Sequence, residues 1–464
     1  MNIEQIEDIY PLSWMQQGML FHTLYAPQSG VYFNQLNCTL NADLNVSAFK
    51  RAWQRVLSRH AILRTSFVWE DLAEPVQIVH REVELPLEEQ DWRELSADEQ
   101  QARLESFLKA DRDRGFELAE APLMRLYLIR TAEDAYQFVW SRHHILLDAW
   151  SGVLLQKEFA AFYEAFLRGW ELDLERPRPY RDYISWLRQQ DLSKAQAFWQ
   201  RTLEGFAAPT PLAGEQAPGH APARQVTFQD MRTRLPSETT SALQALARQQ
   251  QFTLNTLIQG AWALLLSRYS GRADVVFGTT VSGRPVELAG VESMIGIFIN
   301  TLPVRVRVPA EAQLVPWLRQ LQLEQAEMRQ HEYTPLVEIQ SWSEVPRGQP
   351  LFESILVVQN YPVAGLKQPS TIKASRPSFV ERSNYPVALV VALGAELGLR
   401  LTYDRDRFSA ATVARMLEHL ARLLGSMVAQ PDARVGELEM LCPEESALLE
   451  KTTGIEELET SFSF

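Results

Sequence analysis

Apolar and aromatic residues recur along the chain at two different spacings, and each spacing predicts one kind of element. Phe49, Trp53 and Leu57 stand four residues apart, which predicts a helix over residues 46–60 with one buried stripe. Aromatic residues at every second position of 136–140 predict a strand, because alternate side chains of an extended chain share one face. Patterns of both kinds alternate in the two halves of the chain.

The same spacings predict further elements. Residues 123–130 and 135–140 flank a turn at 131–134 and predict a hairpin. The other predictions are a helix capped by Ser13, a strand at 31–40, a helix carrying Leu155, Phe159, Phe162 and Phe166, helices restarting at 180–186 and 198–199, two helices from Ser237 of which the second covers 254–269, and a strand at 275–281. This succession favours two similar α/β lobes.

Breaks in these patterns indicate where the lobes meet. Residues 175–179 read Glu-Arg-Pro-Arg-Pro and interrupt regular structure, so we predict an N-terminal lobe at 1–176 and a C-terminal lobe at 177–445. We interpret residues 446–464 as a linker toward a following domain. The charged residues 85–110 predict a solvated helix, and the Pro-, Gly- and Ala-rich residues 209–222 predict a mobile loop.

Composition excludes several classes of protein. The 464 residues suffice for two lobes of about 200 residues each, and 46% hydrophobic with 22% charged residues is typical of a globular protein. No apolar run reaches the roughly 18 residues of a membrane span, and the acidic start does not resemble a secretion signal, so we expect a cytoplasmic protein without a membrane partner. The net charge of −13 disfavours nucleic acid as a partner. Cys38 and Cys442 are too few for a disulfide framework or a zinc ribbon.

Candidate chemistry is concentrated where the strand at 136–140 ends. His143 and His144 are adjacent there, so their side chains point to opposite faces and cannot both bind one metal ion. They could be two satisfied structural histidines. The helix that follows Asp148 would, however, place one imidazole beside backbone N–H groups at a helix N-terminus, which suits acyl chemistry.

His143-His144-x-x-x-Asp148, followed by Ala149-Trp150-Ser151, resembles the HHxxxDG core motif of condensation domains of nonribosomal peptide synthetases, which are relatives of chloramphenicol acetyltransferase. Further blocks similar to those of the family follow in the family's order, so the resemblance spans about residues 8–445. The blocks lie at 9–22, 59–67, 180–186, 282–285, 295–303, 331–336, 352–362 and 382–386.

The resemblance implies an α/β (α+β) fold: a pseudo-dimer of two acetyltransferase-like lobes, each a mixed β-sheet flanked by helices, with a channel between them. It implies an acyltransferase in which the amine of an acceptor aminoacyl thioester attacks a donor thioester. The chain itself is expected to bind no cofactor and no metal, because the phosphopantetheine arms belong to donor and acceptor peptidyl carrier domains. A neighbouring adenylation domain is a further expected partner, and the excised domain is expected to be monomeric.

The resemblance also implies roles for the residues of the motif. His144 is the expected base or positioning group for the attacking amine, and His143 is expected to make hydrogen bonds that fix the turn. Asp148 could be the acid of a catalytic triad, but the resemblance implies instead a buried salt bridge with Arg284. We expect Trp150 to line the channel and Ser151 to cap the helix.

Other blocks add supporting residues. Arg64, in a predicted semi-buried strand, should have a carboxylate or carbonyl partner. His22, Asn300 and Tyr385 are expected to line the substrate channel by resemblance, although packing is the simpler interpretation of His22.

Ala149 departs from the family pattern, which has glycine there. Its methyl group either narrows the space beside the reacting thioester or indicates a backbone that needs no positive φ. The departure leaves open a non-catalytic carrier-docking or gating domain, and ester formation with a hydroxyl acceptor is a further alternative. Heterocyclising relatives replace the histidines with aspartate and epimerising relatives place serine before tryptophan, so the order Trp150-Ser151 favours condensation.

Overall fold

The structure is a computed structural model that describes residues 3–27, 29–41, 43–212, 227–360 and 372–447. Most of the loop predicted at 209–222 and nearly all of the linker predicted at 446–464 lie outside these residues. The described residues contain eleven α-helices, with bounds α1 Trp14–Tyr25, α2 Val46–Arg59, α3 Ala97–Arg114, α4 Ala149–Leu167, α5 Tyr180–Arg188, α6 Leu192–Leu203, α7 Ser237–Gln250, α8 Leu254–Ser270, α9 Leu314–Arg329, α10 Leu336–Trp342 and α11 Ala410–Ala429.

The strands of the described residues number fourteen and form three sheets. Their bounds are β1 Ile6–Pro11, β2 Phe33–Asn41, β3 Thr65–Val68, β4 Val76–His80, β5 Leu87–Asp91, β6 Met124–Ala132, β7 Ala135–His143, β8 Phe228–Arg234, β9 Asp274–Val281, β10 Asn300–Arg307, β11 Ser354–Gln359, β12 Lys373–Val380, β13 Val387–Ala392 and β14 Gly398–Asp404. The predicted α/β class, with mixed sheets flanked by helices, is confirmed.

Two large sheets dominate the architecture. One has the order β12-β2-β7-β6-β5 and the other β10-β9-β11-β13-β14-β8, while β1-β4-β3 form a small third sheet. Both large sheets are mixed, since β5 runs parallel to β6 and β11 runs parallel to both of its neighbours. Strand β12 joins the first sheet through β2, whereas β11 and β13, which precede and follow it in the chain, belong to the second. The chain therefore crosses between the sheets on either side of β12.

The hydrophobic interior follows the same arrangement. Buried side chains of residues 10–187 form one cluster, which also takes in residues 288–298, and those of 195–438 form the other. The first cluster contains the predicted stripe of α2, where Trp53 packs 5.0 Å from the ring of Trp140 on β7. The lobe boundary at residue 176 stays a prediction.

Two local predictions were wrong. Residues 85–110 are not one helix: Leu87–Asp91 pair with β6 as an edge strand, and α3 begins later, at a capping box formed by Ser96 and Glu99. Edge pairing uses backbone groups and leaves one face in solvent, so a charged segment can supply it. Arg64 lies on a 3-10 turn, Ala61–Arg64, directly before β3, and is buried because the turn packs under β4.

Candidate active site

The paired histidines lie at the end of the central strand β7, which has β2 on one side and β6 on the other. Three fully buried residues, 145–147, then form a tight turn into α4. The turn is held by its own backbone, with Leu147 N–H donating to the His144 carbonyl at 3.2 Å, and by Gln16 of α1, whose side-chain amide donates to the Ile145 carbonyl at 3.2 Å. Rigid neighbours therefore fix where each imidazole points.

His143 is a buried, neutral histidine. The Ile145 N–H donates to its Nδ1 at 3.2 Å, so the proton of the ring is on Nε2, which lies 3.2 Å from the Thr23 hydroxyl on α1. Burial, together with the nearby charge of His144, lowers the pKa of His143 to about 3. Both ring nitrogens thus have partners, and the residue supports the turn.

His144 has the opposite arrangement. Its Nδ1 lies 2.8 Å from the Leu147 carbonyl, which can only accept, so Nδ1 carries a proton and Nε2 is the atom left for proton exchange. Nε2 lies 3.0 Å from Oε1 of Glu381. Burial works against the charged imidazole, but the hydrogen bond and charge of Glu381, helped by the Leu147 carbonyl, raise the pKa of His144 above its ordinary value.

Glu381 was missed by the sequence analysis. It follows β12 directly and precedes the block at 382–386, which was matched to the family without the residue before it. Burial raises the pKa of its carboxyl group, but the hydrogen bond and charge of His144 outweigh burial and the pKa is lowered. Both shifts describe the same ion pair, an imidazolium next to a carboxylate.

Tyr32 joins the histidines to the segment after Glu381 and was also missed. Its carbonyl accepts from the His144 N–H at 2.7 Å, while its own N–H donates to the Arg382 carbonyl at 3.0 Å. The Tyr32 hydroxyl lies 3.0 Å from Oδ1 of Asn384, whose amide nitrogen lies 3.3 Å from Nε2 of His22. Tyr32 has a φ of 62°, a conformation that costs a non-glycine residue about 1–3 kcal/mol and that its surroundings must impose.

Asp148 and Arg284 form an ion pair on the other side of the turn. Arg284 Nη2 lies 3.4 Å from both carboxylate oxygens, which also accept from the backbone N–H groups of Ser151 and Phe298. The carboxylate in contact with His144 is therefore Glu381 and not Asp148. The side chains of the pair are only 2% and 5% exposed.

Asp148 rather than Ser151 caps α4, so the expected role of Ser151 was wrong. The aspartate is the residue with extended backbone at that point, and Ser151 lies one turn into the helix, where its hydroxyl accepts from Arg284 at 2.9 Å and donates to the Gly296 carbonyl at 2.7 Å. Asp148 also occupies the N–H groups of Ser151 and Gly152, which leaves neither free for an oxyanion.

Gly283 permits this arrangement. Its φ is +59°, and a Cβ atom there would lie 1.9 Å from the Phe298 carbonyl oxygen, so the turn before Arg284 requires glycine.

Ala149 is the first residue of α4 and has no positive φ, so the backbone does not need the family's glycine there. Trp150 donates its indole N–H to the Glu292 carbonyl at 3.0 Å, and the Arg284 guanidinium lies 5.6 Å from its ring. Trp150 thus contacts the same segment, 284–298, that Asp148 binds.

The remaining predicted residues lie in three different places. Arg64 is paired with Glu7 at 2.7 Å and donates to the His80 carbonyl. The Asn300 amide donates to the carbonyls of residues 332 and 334, each at 2.8 Å. Tyr385 stacks on Phe352 with ring centroids 5.4 Å apart. Channel-lining roles for Asn300, Tyr385 and His22 stay predictions.

Within the described residues no group of three or more His, Cys, Asp or Glu side chains is arranged to hold a metal ion. No helix in this part of the chain is long and apolar enough to cross a membrane.

Solved structures define the class of fold. The chain superimposes on holo-AB3403, a four-domain nonribosomal peptide synthetase, with a TM-score of 0.80 and 20% identity over 95% of this chain and 34% of that one. The starter condensation domain of the rhizomide synthetase RzmA gives 0.76 and 18% identity over 94% and 100% of the two chains. The X-domain from teicoplanin biosynthesis gives 0.78 and 24% identity over 93% and 97%. The fold is that of a nonribosomal peptide synthetase condensation domain.

Sequence comparison then identifies the family. A family model of the condensation domain matches residues 6–450, so the chain belongs to the condensation domain family. One of the proteins of the linear gramicidin synthase of Brevibacillus parabrevis is 46% identical over 442 residues, covering 95% of this chain and 6% of that protein. Surfactin synthase subunit 3 of Bacillus subtilis (strain 168) is 32% identical over 456 residues, covering 96% and 35%. The chain thus spans a small part of these relatives' length.

Proposed function

We propose that the chain forms an amide bond between two thioester-bound groups, with His144 as the base. The observation that carries the proposal is the direction of His144: its Nδ1 is committed to the Leu147 carbonyl, so Nε2 is the nitrogen that can take a proton from a substrate. His143, the other candidate, has both nitrogens engaged and a strongly lowered pKa. Family membership supplies the reaction class.

In the proposed reaction the acceptor's amine nitrogen attacks the carbonyl carbon of the donor thioester. The amine loses one proton to Nε2 of His144, the carbon–sulfur bond of the tetrahedral intermediate breaks, and the leaving thiolate receives the proton. The products are an amide on the acceptor and a free thiol on the donor arm. Both arms would belong to carrier domains, with phosphopantetheine attached to them and not to this chain.

Two effects would lower the barrier. A positioned base contributes about 10²–10⁴ in rate. Holding two reactants in attack geometry converts a bimolecular step into an effectively unimolecular one and can contribute at least as much. We therefore expect some activity to survive the loss of the imidazole.

The test compares His144→Ala with His143→Ala, its neighbour of similar burial. A donor and an acceptor carrier domain are each loaded with a panel of amino acids, and intact-mass analysis follows transfer to the acceptor. We expect His144→Ala to be about 10²–10⁴-fold slower than wild type. His143→Ala should lose stability, by about 1–3 kcal/mol for the hydrogen-bond partners it strands, with a smaller loss of rate.

Other outcomes would overturn the proposal. Equal rates in wild type and His144→Ala would contradict the base. Carrier binding without product in either protein would contradict amide formation and favour a docking domain. Product formed with a hydroxyl acceptor and not with an amine would assign an ester-forming domain.

A further inference from the structure

The imidazole of His144 is held between two oxygen atoms that come from different parts of the chain. The Leu147 carbonyl, from the turn that follows the strand, accepts at Nδ1. The Glu381 carboxylate lies 3.0 Å from Nε2, on the side where a substrate amine would have to approach. The side chains of the histidine and the glutamate are 10% and 29% exposed, so the carboxylate lies on the solvent side of the imidazole.

The charged groups around this contact favour an ionised carboxylate. Arg142, two residues before His144 on β7, and Arg400 on β14 both act on Glu381 electrostatically and lower the pKa of its carboxyl group, in addition to the larger effect of His144. Arg142 and Arg400 thus face the pair from β7 and β14, and buried His143 adjoins it on the strand. The same Arg142 charge opposes protonation of His144, but less than Glu381 favours it.

The position of Glu381 depends on both large sheets. Residues 381–386, which we name the connecting segment, link β12 of the first sheet to β13 of the second. The segment is attached beside the histidines through the Tyr32 N–H, which donates to the Arg382 carbonyl, and through the Tyr32 hydroxyl, which contacts Asn384. A relative movement of the sheets would therefore change the distance from the carboxylate to His144.

We infer that Glu381 is the positioning residue of His144, and that it sets the pH at which the imidazole becomes a base. This inference rests on the proposed function of His144. When Glu381 is in contact, Nε2 carries a proton and cannot accept one. The base forms when that proton leaves, and the nearby carboxylate makes the neutral imidazole a stronger base and directs Nε2 toward the solvent side.

The test replaces Glu381 with glutamine, which keeps the size of the side chain and removes its charge. A matched control is Glu158→Gln, because Glu158 on α4 is also a partly buried carboxylate in contact with a histidine, 2.7 Å from Nε2 of His60. Histidines labelled with ¹³C at Cε1 are titrated by NMR, and the His144 resonance, among eight histidines, is assigned by its absence in His144→Ala. The pH dependence of amide formation is measured on the same proteins.

We expect Glu381→Gln to move the His144 titration to lower pH, because the carboxylate that favours the charged ring is gone. The acid limb of the rate profile should move to lower pH with it, so the variant keeps relatively more of its activity in acid. Its rate on the alkaline plateau should fall, since the imidazole is less basic and less well held. Glu158→Gln should change neither the His144 titration nor the acid limb.

An unchanged His144 titration in Glu381→Gln, or an equal shift in Glu158→Gln, would overturn the inference. A general loss of structure alone would lower the rate at every pH without moving the limb. Should Glu381→Gln fail to fold, the wild-type titration decides: a His144 midpoint below that of an ordinary histidine contradicts the inference, and one above it supports the inference. Undiminished activity of His144→Ala would remove the proposed base, while a titration shift would still establish the coupling between Glu381 and His144.

Discussion

Two carboxylates meet the residues around the end of β7, each in an ion pair, and the two pairs differ in their cation. Asp148 is paired with Arg284, and both side chains are at least 95% buried. Glu381 is paired with His144 and is 29% exposed. A guanidinium keeps its charge across the pH range in which an imidazole titrates. The arginine pair is therefore permanent, whereas the histidine pair can be made and broken.

The comparison shows how a site combines rigidity with chemistry. Asp148 caps α4, pairs with Arg284 and accepts the Phe298 N–H, so it joins the turn after the histidines to residues 284–298. Glu381 has His144 as its closest described cation and lies on the connecting segment. One pair holds the base in place, and the other acts on the proton of that base.

The largest expected effect separates the two pairs by stability. Asp148→Ala should lower the free energy of unfolding by about 3–5 kcal/mol, because it strands a buried guanidinium that cannot lose its charge. Glu381→Ala should cost much less, about 1 kcal/mol, because His144 can release its proton when its partner is removed. Urea unfolding followed by tryptophan fluorescence measures both.

Arg284→Met provides the control for that experiment. In its background Asp148→Ala should cost less than in the wild type, because no guanidinium is left unpaired. Equal losses for Asp148→Ala and Glu381→Ala would show that the permanent and the titratable pair do not differ in stability.

The next effect concerns pH. The pKa of His144 is raised in the fold, so its contribution to stability is lost as pH rises through that pKa; the pKa of Glu381 is lowered, so its contribution is lost as pH falls through that pKa. The difference in unfolding free energy between wild type and Glu381→Gln should therefore be largest between about pH 4.3 and 6.5, the unfolded-state values of the two groups. Its size should be about 1 kcal/mol. Urea titrations over this range measure it, and a difference that does not vary with pH would contradict the ion pair.

The smallest effect tests the departure from the family's glycine. Ala149 is helical, so Ala149→Gly should leave the rate of amide formation unchanged and lower the free energy of unfolding by up to about 1 kcal/mol, because glycine is the poorer helix former. Rate assays and thermal unfolding measure the two quantities. A marked gain in rate would mean that the alanine methyl group obstructs the substrate.

Most of the fold could be predicted from the spacing of apolar residues. The stripe of α2, the alternation of β7 and the cap of α1 at Ser13 are local patterns, and each produced the expected element. The edge strand at 87–91 could not be predicted in this way, because its stability comes from backbone pairing with β6 and not from its own side chains.

The site divides along the same line. That His143 and His144 point to opposite faces follows from strand geometry alone, and the motif with Asp148 determined the family. Which histidine has a free nitrogen was decided by partners from the turn, α1 and the connecting segment, and the carboxylate beside His144 comes from a residue 237 positions away in the chain. Sequence spacing determines contacts between neighbours in the chain, but a contact between distant residues exists only once the sheets have packed, and there the tertiary structure alone decides which charge meets which ring.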